Sequence, residues 1–459
     1  MCATDKSTRE IKPDYAKLPT WESYSSNLDV EYQQCVEEGL DIEGYREVFE
    51  AVSKLPKDET KKKLGDILFE EVRNSRMKEE YPYAEPSDLP SIRRLRKDPP
   101  TAPEAVDASA LADKIHGAWL GRICGCFLGK PIEGIRTNEL IPFLKETGNY
   151  PMHRYIRRAE VTEEVRNRYQ FQFSLRSYPD AIVGMPPDDD TNYMIMSQLI
   201  LNDYGRDFTP ENVAQAWTYY QRKNAYCTAE RVAYCNFVKG YRPPDSAVYQ
   251  NPYREWIGAQ IRGDYFGYIN PGDPEKAAEM AFRDASISHV KNGIYGVMFV
   301  SAMIALAAVT TDMKRIILAG LAQIPHTSRL YEAVMDAVKG FEQGVSQEDC
   351  FADIHSRYDE YTEHGWCHTI SNAMIVAAAL LYGGGDYGRS ICMAVETGFD
   401  TDCNGATVGS VIGMAYGTGC IAEEWAGPVN DTLYSSVFGV DVVKISESAR
   451  RTMEHVRHR

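Results

Sequence analysis

The chain has 459 residues, 44% hydrophobic and 25% charged, enough apolar material for a large core under a charged surface. Its formal net charge of -16 argues against a sequence-independent phosphate-backbone binder, which needs basic surface, so no nucleic-acid polymer is expected as a partner. Eleven cysteines, with no CxxC pair, read as buried thiols of a reducing compartment. With no apolar leader and no membrane-length apolar run, the expected location is cytoplasmic, away from membranes.

Residues 1–105 differ from the rest. Charge-rich helical stretches are expected over Glu31–Ser53 and Thr60–Lys78. Pro82, Pro86, Pro90, Pro99, Pro100 and Pro103 then mark an extended connection, because proline removes a donor and biases its predecessor away from helix. This part reads as an N-terminal helical extension packed on a main body that occupies 106–459. The body opens with a helix over Ala108–Phe127, in which Gly117, Ala118, Gly121 and Gly125 recur at near-helical spacing and permit close contact with a neighbour. Further helices are expected over Asn192–Leu201, Pro210–Tyr226, Pro274–Ala285, Ile294–Ala308, Met313–Ala322, Ser328–Gly340, Thr369–Leu381, Asp386–Thr397 and Asn404–Tyr416. Alternating β-branched runs are nearly absent, so the fold class is all-α.

Two acidic clusters carry the chemistry. Pro187-Asp188-Asp189-Asp190-Thr191 sets three carboxylates side by side, and Asp400-Thr401-Asp402-Cys403 sets two more some 210 residues later. Both border apolar, small-residue segments. Carboxylates crowded near a core repel one another and are costly to desolvate, a cost that a cation removes. Oxygen donors of this kind suit magnesium, manganese or calcium. One aspartate would explain a helix N-cap ahead of Asn192, but three in succession would not. Asp188 stands between the two roles, as cap or as third ligand. Removing one crowded carboxylate, Asp190 for example, is expected to relieve repulsion in the metal-free protein.

Three ordered motifs resemble the ADP-ribosylglycohydrolase family over about residues 108–430. The first runs from Gly117-Ala118-Trp119-Leu120-Gly121 to Gly129-Lys130-Pro131-Ile132-Glu133, the second is Asp188-Asp189-Asp190-Thr191, and the third is Asp400-Thr401-Asp402. Ser288-His289 is a weaker fourth. The resemblance implies a globular helical domain with a pair of magnesium or manganese ions in a cleft, hydrolysing a glycosidic bond to ribose. It implies metal ligands at Asp189, Asp190, Asp400 and Asp402; beside them Asp188, as a third carboxylate, and Thr191 and Thr401, as hydroxyl or backbone oxygen donors, are further candidate ligands. Catalytic groups would be Glu133, Asp190 and Asp402, with Glu133 orienting or deprotonating water.

The sequence also departs from the family pattern. Asp188 stands where a hydroxyl is common, Cys403 where Thr is common, and Cys126 where many members have Asp. His289, Trp366 and Gly384 are the candidate substrate contacts: a ribose or base contact, a stacking ring, and part of a Gly383-Gly384-Gly385-Asp386 phosphate loop that serves equally well to end one helix and start the next. Arg262–Asp273 reads as a cleft lining or an ordered connector. His364, Cys367 and His368 match no zinc spacing. The expected activity is metal-dependent hydrolysis of a ribosyl N-glycosidic bond in a small ribose-containing substrate or ADP-ribosyl conjugate. Asp188, as added negative charge at the rim, is expected to disfavour a phosphate there. The rival expectation is a non-catalytic ligand-binding or structural module on the same fold. The oligomeric state is left open.

Overall fold

A computed structural model of the chain describes residues 12–97, 103–169 and 177–457, which leaves Pro99 and Pro100 of the expected connection outside the described residues. The chain divides into two compact units, one of residues 1–81 with 250–252, the other of 82–249 with 253–459. In the first unit three helices, Leu28–Glu37, Arg46–Ser53 and Glu59–Asn74, enclose a small core that includes Leu28, Phe49, Val52, Leu68 and Phe69. The single helical stretch expected over Glu31–Ser53 is broken. Gly39 turns the chain at φ +80°, a left-handed conformation that suits glycine, and Gly44 follows in a short 3-10 turn. Asp58 caps the third helix by accepting a bond from the Lys61 amide at 2.9 Å.

The second unit is almost wholly helical. Its one sheet among the described residues is a two-stranded antiparallel ribbon, Thr432–Tyr434 with Val442–Lys444, which the sequence reading did not anticipate. The C-terminal helix Ile445–Arg457 was likewise not expected. Pro82–Pro103 is not extended throughout, because Leu89–Arg94 forms a short helix with Pro90 in its first turn, where the missing amide costs nothing.

The centre of this unit is a pair of antiparallel helices, Leu111–Gly129 and Thr401–Tyr416. Glycines recur every fourth residue on both. A Cβ on Gly117 would meet the Gly413 carbonyl, one on Gly121 the Gly409 carbonyl, and one on Gly125 the Gly405 carbonyl. The backbones therefore touch along four turns, which only residues without a side chain allow. At the end of this contact Gly129 meets the backbone of Thr401 and Asp402, and the Thr401 hydroxyl donates to the Gly129 carbonyl at 3.0 Å. The glycine stripe thus fixes where the third acidic motif sits relative to the first. Lys291–Ala307 and Thr369–Gly383, both buried along nearly their whole length, pack beside this pair. Among the described residues no helix is long and apolar enough to cross a membrane.

Candidate metal centre

The Asp189–Tyr204 helix begins at the second acidic motif. Asp188 is its N-cap, and Asp188 Oδ1 accepts from the Asp190 amide at 2.9 Å. Asp188 is also paired with Lys130, the residue that ends the first glycine helix. Burial raises the Asp188 carboxyl, but the Lys130 ammonium and hydrogen bonds from the Asp190 amide and the Cys126 thiol together carry the group below the usual carboxylate range. The cap and the cluster member are therefore the same residue. The Thr191 hydroxyl donates to the Asp188 carbonyl at 3.1 Å within the first turn.

Asp190 is fully buried and answered by a buried arginine. Arg122, at the middle of the first glycine helix, donates to Asp190 Oδ1 at 2.8 Å, to the Asp190 carbonyl, and to Asp264 Oδ2 at 2.7 Å. The Cys403 thiol donates to the other Asp190 oxygen at 3.2 Å. Even so, burial holds the Asp190 carboxyl well above its usual range, with Asp188 and Asp400 adding to the effect. Removing Asp190 would thus relieve repulsion from Asp188 and Asp400 but also take from Arg122 one of its two carboxylate partners, leaving it Asp264.

The third motif faces the second. Ligand atoms of Cys126, Asp188, Asp190 and Asp402 lie within 4.8 Å of one another, and so do those of Asp400, Asp402 and Cys403. Asp402 belongs to both groups. It is only 3% exposed, and its Oδ1 has no hydrogen-bond partner. Its carboxyl is driven well above the usual range by burial first and then by the charges of Glu133, Asp400, Asp188 and Asp190. A buried, unpartnered carboxylate oxygen among other carboxylates is the mark of a cation site. The donor set therefore fits a divalent ion.

Asp400 is placed by its neighbours. Its amide donates to Asn372 Oδ1 at 3.2 Å, and Asn404 holds the same oxygen at 2.8 Å. Phe399, just before it, adopts φ +56°. The Cys367 thiol donates to Asp400 Oδ2 at 3.9 Å.

Asp189 and Glu133 form the more open edge. Both are half-buried, and Asp189 belongs to neither close group. Its carboxyl is raised by burial, by Asp188 and Asp190, and by Glu133, so the two side chains feel each other's charge. Trp366 stands nearby, donating its indole N–H to the Phe399 carbonyl, with the Arg136 guanidinium 4.5 Å from its ring centre. Arg136 follows Glu133 by three residues, and its charge, like those of Asp400 and Glu133, reaches Cys367.

His289 and Gly384 are differently placed. His289 is buried, its Nδ1 2.8 Å from the Ser288 hydroxyl, in a network where Arg262 binds Glu230, Asp284 and Ser288. Burial, and then the Arg262 charge, hold its pKa well below the usual histidine value, so it is neutral. Gly384 sits at φ +63° just past the Thr369–Gly383 helix and ends it. The other end of that helix lies by the centre, through the Asn372 bond to Asp400. Gly384 is thus about 15–20 Å away along the axis, and the phosphate-loop expectation gives way to helix termination. Asp386 caps the next helix, accepting from the Arg389 amide at 2.7 Å. A cavity of ≈ 590 Å³ opens beside that cap, between Tyr387, Cys392, Glu396, Cys420 and Trp425, and shares no residue with the carboxylate groups. The Arg262–Asp273 stretch is neither irregular nor exposed. It holds a short helix, Asp264–Tyr268, buried throughout.

Arg122, Lys130, Asp264 and the Arg262 network were missed from sequence. Arg122 carried a signal: the one Arg, Lys, Asp or Glu between Lys114 and Lys130, set in an apolar, glycine-rich stretch, demands a buried partner.

Residues 107–456 match the family model described as ADP-ribosylglycohydrolase. The chain belongs to the ADP-ribosylglycohydrolase family. The match runs past the expected end at 430 and takes in the ribbon and the last helix. A solved structure titled "ADP-ribosylglycohydrolase-related protein complex" aligns over 76% of this chain and 99% of its own, at 16% identity and a TM-score of 0.48. No curated protein matches. Family membership and the metal-suited clusters together make the chain a metal-dependent enzyme of the glycohydrolase type.

Proposed function

We propose that the chain hydrolyses a ribosyl N-glycosidic bond, in a small riboside or an ADP-ribosyl conjugate, at the edge formed by Glu133 and Asp189. The observation that carries this reading is the meeting, from segments some 210 residues apart, of Asp188 and Asp190 with Asp402, which Asp400 also approaches and whose Oδ1 has no hydrogen-bond partner. Asp188, Asp190 and Asp402 on one side, and Asp400 and Asp402 on the other, would hold up to two divalent ions, with magnesium and manganese suited to the carboxylates. A bound ion would supply positive charge that orients ribose hydroxyls and polarises the attacking water.

The chain's own groups divide the remaining work. Glu133 is half-buried at the open edge, where a carboxylate can take a proton from an incoming water. The Glu133 charge adds to burial and to Asp188 and Asp190 in raising the Asp189 carboxyl, so Asp189 is the group beside it disposed to carry a proton. Asp190 has both oxygens engaged, by Arg122 and by Cys403, so it holds geometry and does not move protons. Asp402 sets negative charge beside the developing oxocarbenium. Trp366, with Arg136 against its ring, offers a face for the part of the substrate beyond the ribose. Because Lys130 answers Asp188, the argument that Asp188 repels a phosphate loses its force, and phosphorylated and free ribosides are both admitted.

The test is release of free ribose or ADP-ribose from a panel of nucleosides, ribosides and ADP-ribosyl-arginine, with magnesium, manganese or zinc. Turnover that is lost in Glu133→Gln, with substrate binding retained, is the expected result. No turnover of any member with any of the three ions rejects the reading.

A further inference from the structure

Each of the two carboxylate groups contains a sulfur. Cys126 Sγ comes from the first glycine helix and lies within 4.8 Å of carboxylate oxygens of Asp188, Asp190 and Asp402. Cys403 Sγ comes from the opposing helix and lies equally close to oxygens of Asp400 and Asp402. Both thiols are buried, and the carboxylate common to them, Asp402, has the oxygen without a partner. Given that this cluster is the metal centre, we propose that Cys126 and Cys403 are sulfur ligands, one in each group, and make the centre select a thiophilic divalent cation, zinc foremost, over magnesium.

The donor set argues for this in two ways. Magnesium requires a near-octahedral shell of oxygens at about 2.0–2.1 Å and gives up its waters reluctantly. Here the chain's own cations already hold part of the oxygen supply: Arg122 takes Asp190 Oδ1, and Lys130 takes Asp188 Oδ2. A sulfur, a donor that magnesium disfavours and zinc accepts, faces each group beside the carboxylates. Zinc accepts a mixed sulfur and oxygen shell of four, the number that Cys126, Asp188, Asp190 and Asp402 present. In the metal-free chain the Cys403 thiol donates to Asp190 Oδ2, and coordination by either sulfur releases its thiol proton to solvent. The competing account is that both thiols are only hydrogen-bond donors to the carboxylates.

Cobalt separates the two accounts without turnover. Metal-free full-length protein titrated with Co²⁺ should develop an intense near-ultraviolet sulfur-to-cobalt charge-transfer band. Zn²⁺ at equimolar concentration should abolish it, whereas Mg²⁺ in large excess should not. Cys126→Ser and Cys403→Thr should each weaken the band, and together remove it. Zinc affinity should fall by more than about tenfold in each, the scale on which even indirect partners of a metal act, with magnesium affinity held or raised. If the variants fail to fold, the wild-type spectrum and the zinc–magnesium competition decide alone. A cobalt complex without the band, displacement by magnesium as readily as by zinc, or a band that survives the double substitution overturns the proposal. Binding of none of the three ions also overturns it. Ribosides turned over with magnesium in a protein lacking the band refute the sulfur ligands and leave the glycohydrolase reading intact. A band without any turnover supports the sulfur ligands and rejects that reading.

Discussion

Gly121→Ala probes the contact on which the metal centre is built. In an isolated helix alanine is better than glycine by about 0.8–1 kcal/mol, so propensity alone predicts a gain. The packing predicts the opposite. The new Cβ would collide with the carbonyl group of Gly409 and press on the Tyr387 ring. Neither can turn aside: one is helix backbone, and the other is a buried ring whose hydroxyl donates to the Gly121 carbonyl at 2.8 Å. The helices must separate, and a collision this close with backbone stands in the upper half of the about 1–3 kcal/mol that overpacking costs. The expected outcome is a net loss of about 1–2 kcal/mol in urea unfolding, propensity and collision taken together. Gly125→Ala, one turn nearer Asp402, should match that loss and also weaken metal binding, because separation there moves Cys126 from Asp402. Gly419→Ala is the control, exposed and with nothing near the new methyl, and should stay within about 0.5 kcal/mol of the parent. A Gly121→Ala protein as stable as the Gly419→Ala protein would refute the argument that backbone contact between these helices holds the site.

Two further outcomes test the electrostatics. Asp402→Asn should raise the metal-free melting temperature by relieving repulsion from Glu133, Asp400, Asp188 and Asp190. It should also reduce the stabilisation by saturating cation, worth about 2.7 kcal/mol to the parent at one hundred times Kd, and equal metal-induced gains in the two proteins would count against the ligand. Glu230 is pushed up to about 7 by burial, against the Arg262 charge, from an ordinary 4.5. The folded chain therefore keeps a proton there that the unfolded chain has released. The stability from that proton is full below about pH 4.5 and is lost as pH rises through about 7. Glu230→Gln should flatten the unfolding free energy over that window, and an unchanged slope would show that Glu230 does not titrate there.

The long apolar helices were legible in the sequence because their periodicity and their burial agree. Pro274–Ala285 was expected at the bounds observed, and Met313–Leu321 within one residue. The two acidic motifs were legible because crowded carboxylates near a core have few purposes. Who answers each carboxylate was not legible. Asp188, Asp189 and Asp190 are adjacent in the chain, yet one meets Lys130, one stands at the edge with Glu133, and one is locked by Arg122. Those fates are set by helix ends and by which way each turn faces, quantities that spacing alone does not carry. Gly384 misled for a related reason: a glycine run that stops a helix is the same string as one that cradles a phosphate. Thr137–Glu146 escaped notice because Pro142 sits inside it, a residue that ordinarily argues against a helix.

Lys130 and Arg122 bear on the order of events in the life of the chain. Two of the clustered carboxylates meet a cation that the polypeptide brings with it, one at the end of the first glycine helix and one at its middle. The nascent protein therefore has no need to wait for an ion before its central helices close. Loading can then be a separate, later step, which adds to the stability of the fold without being its precondition.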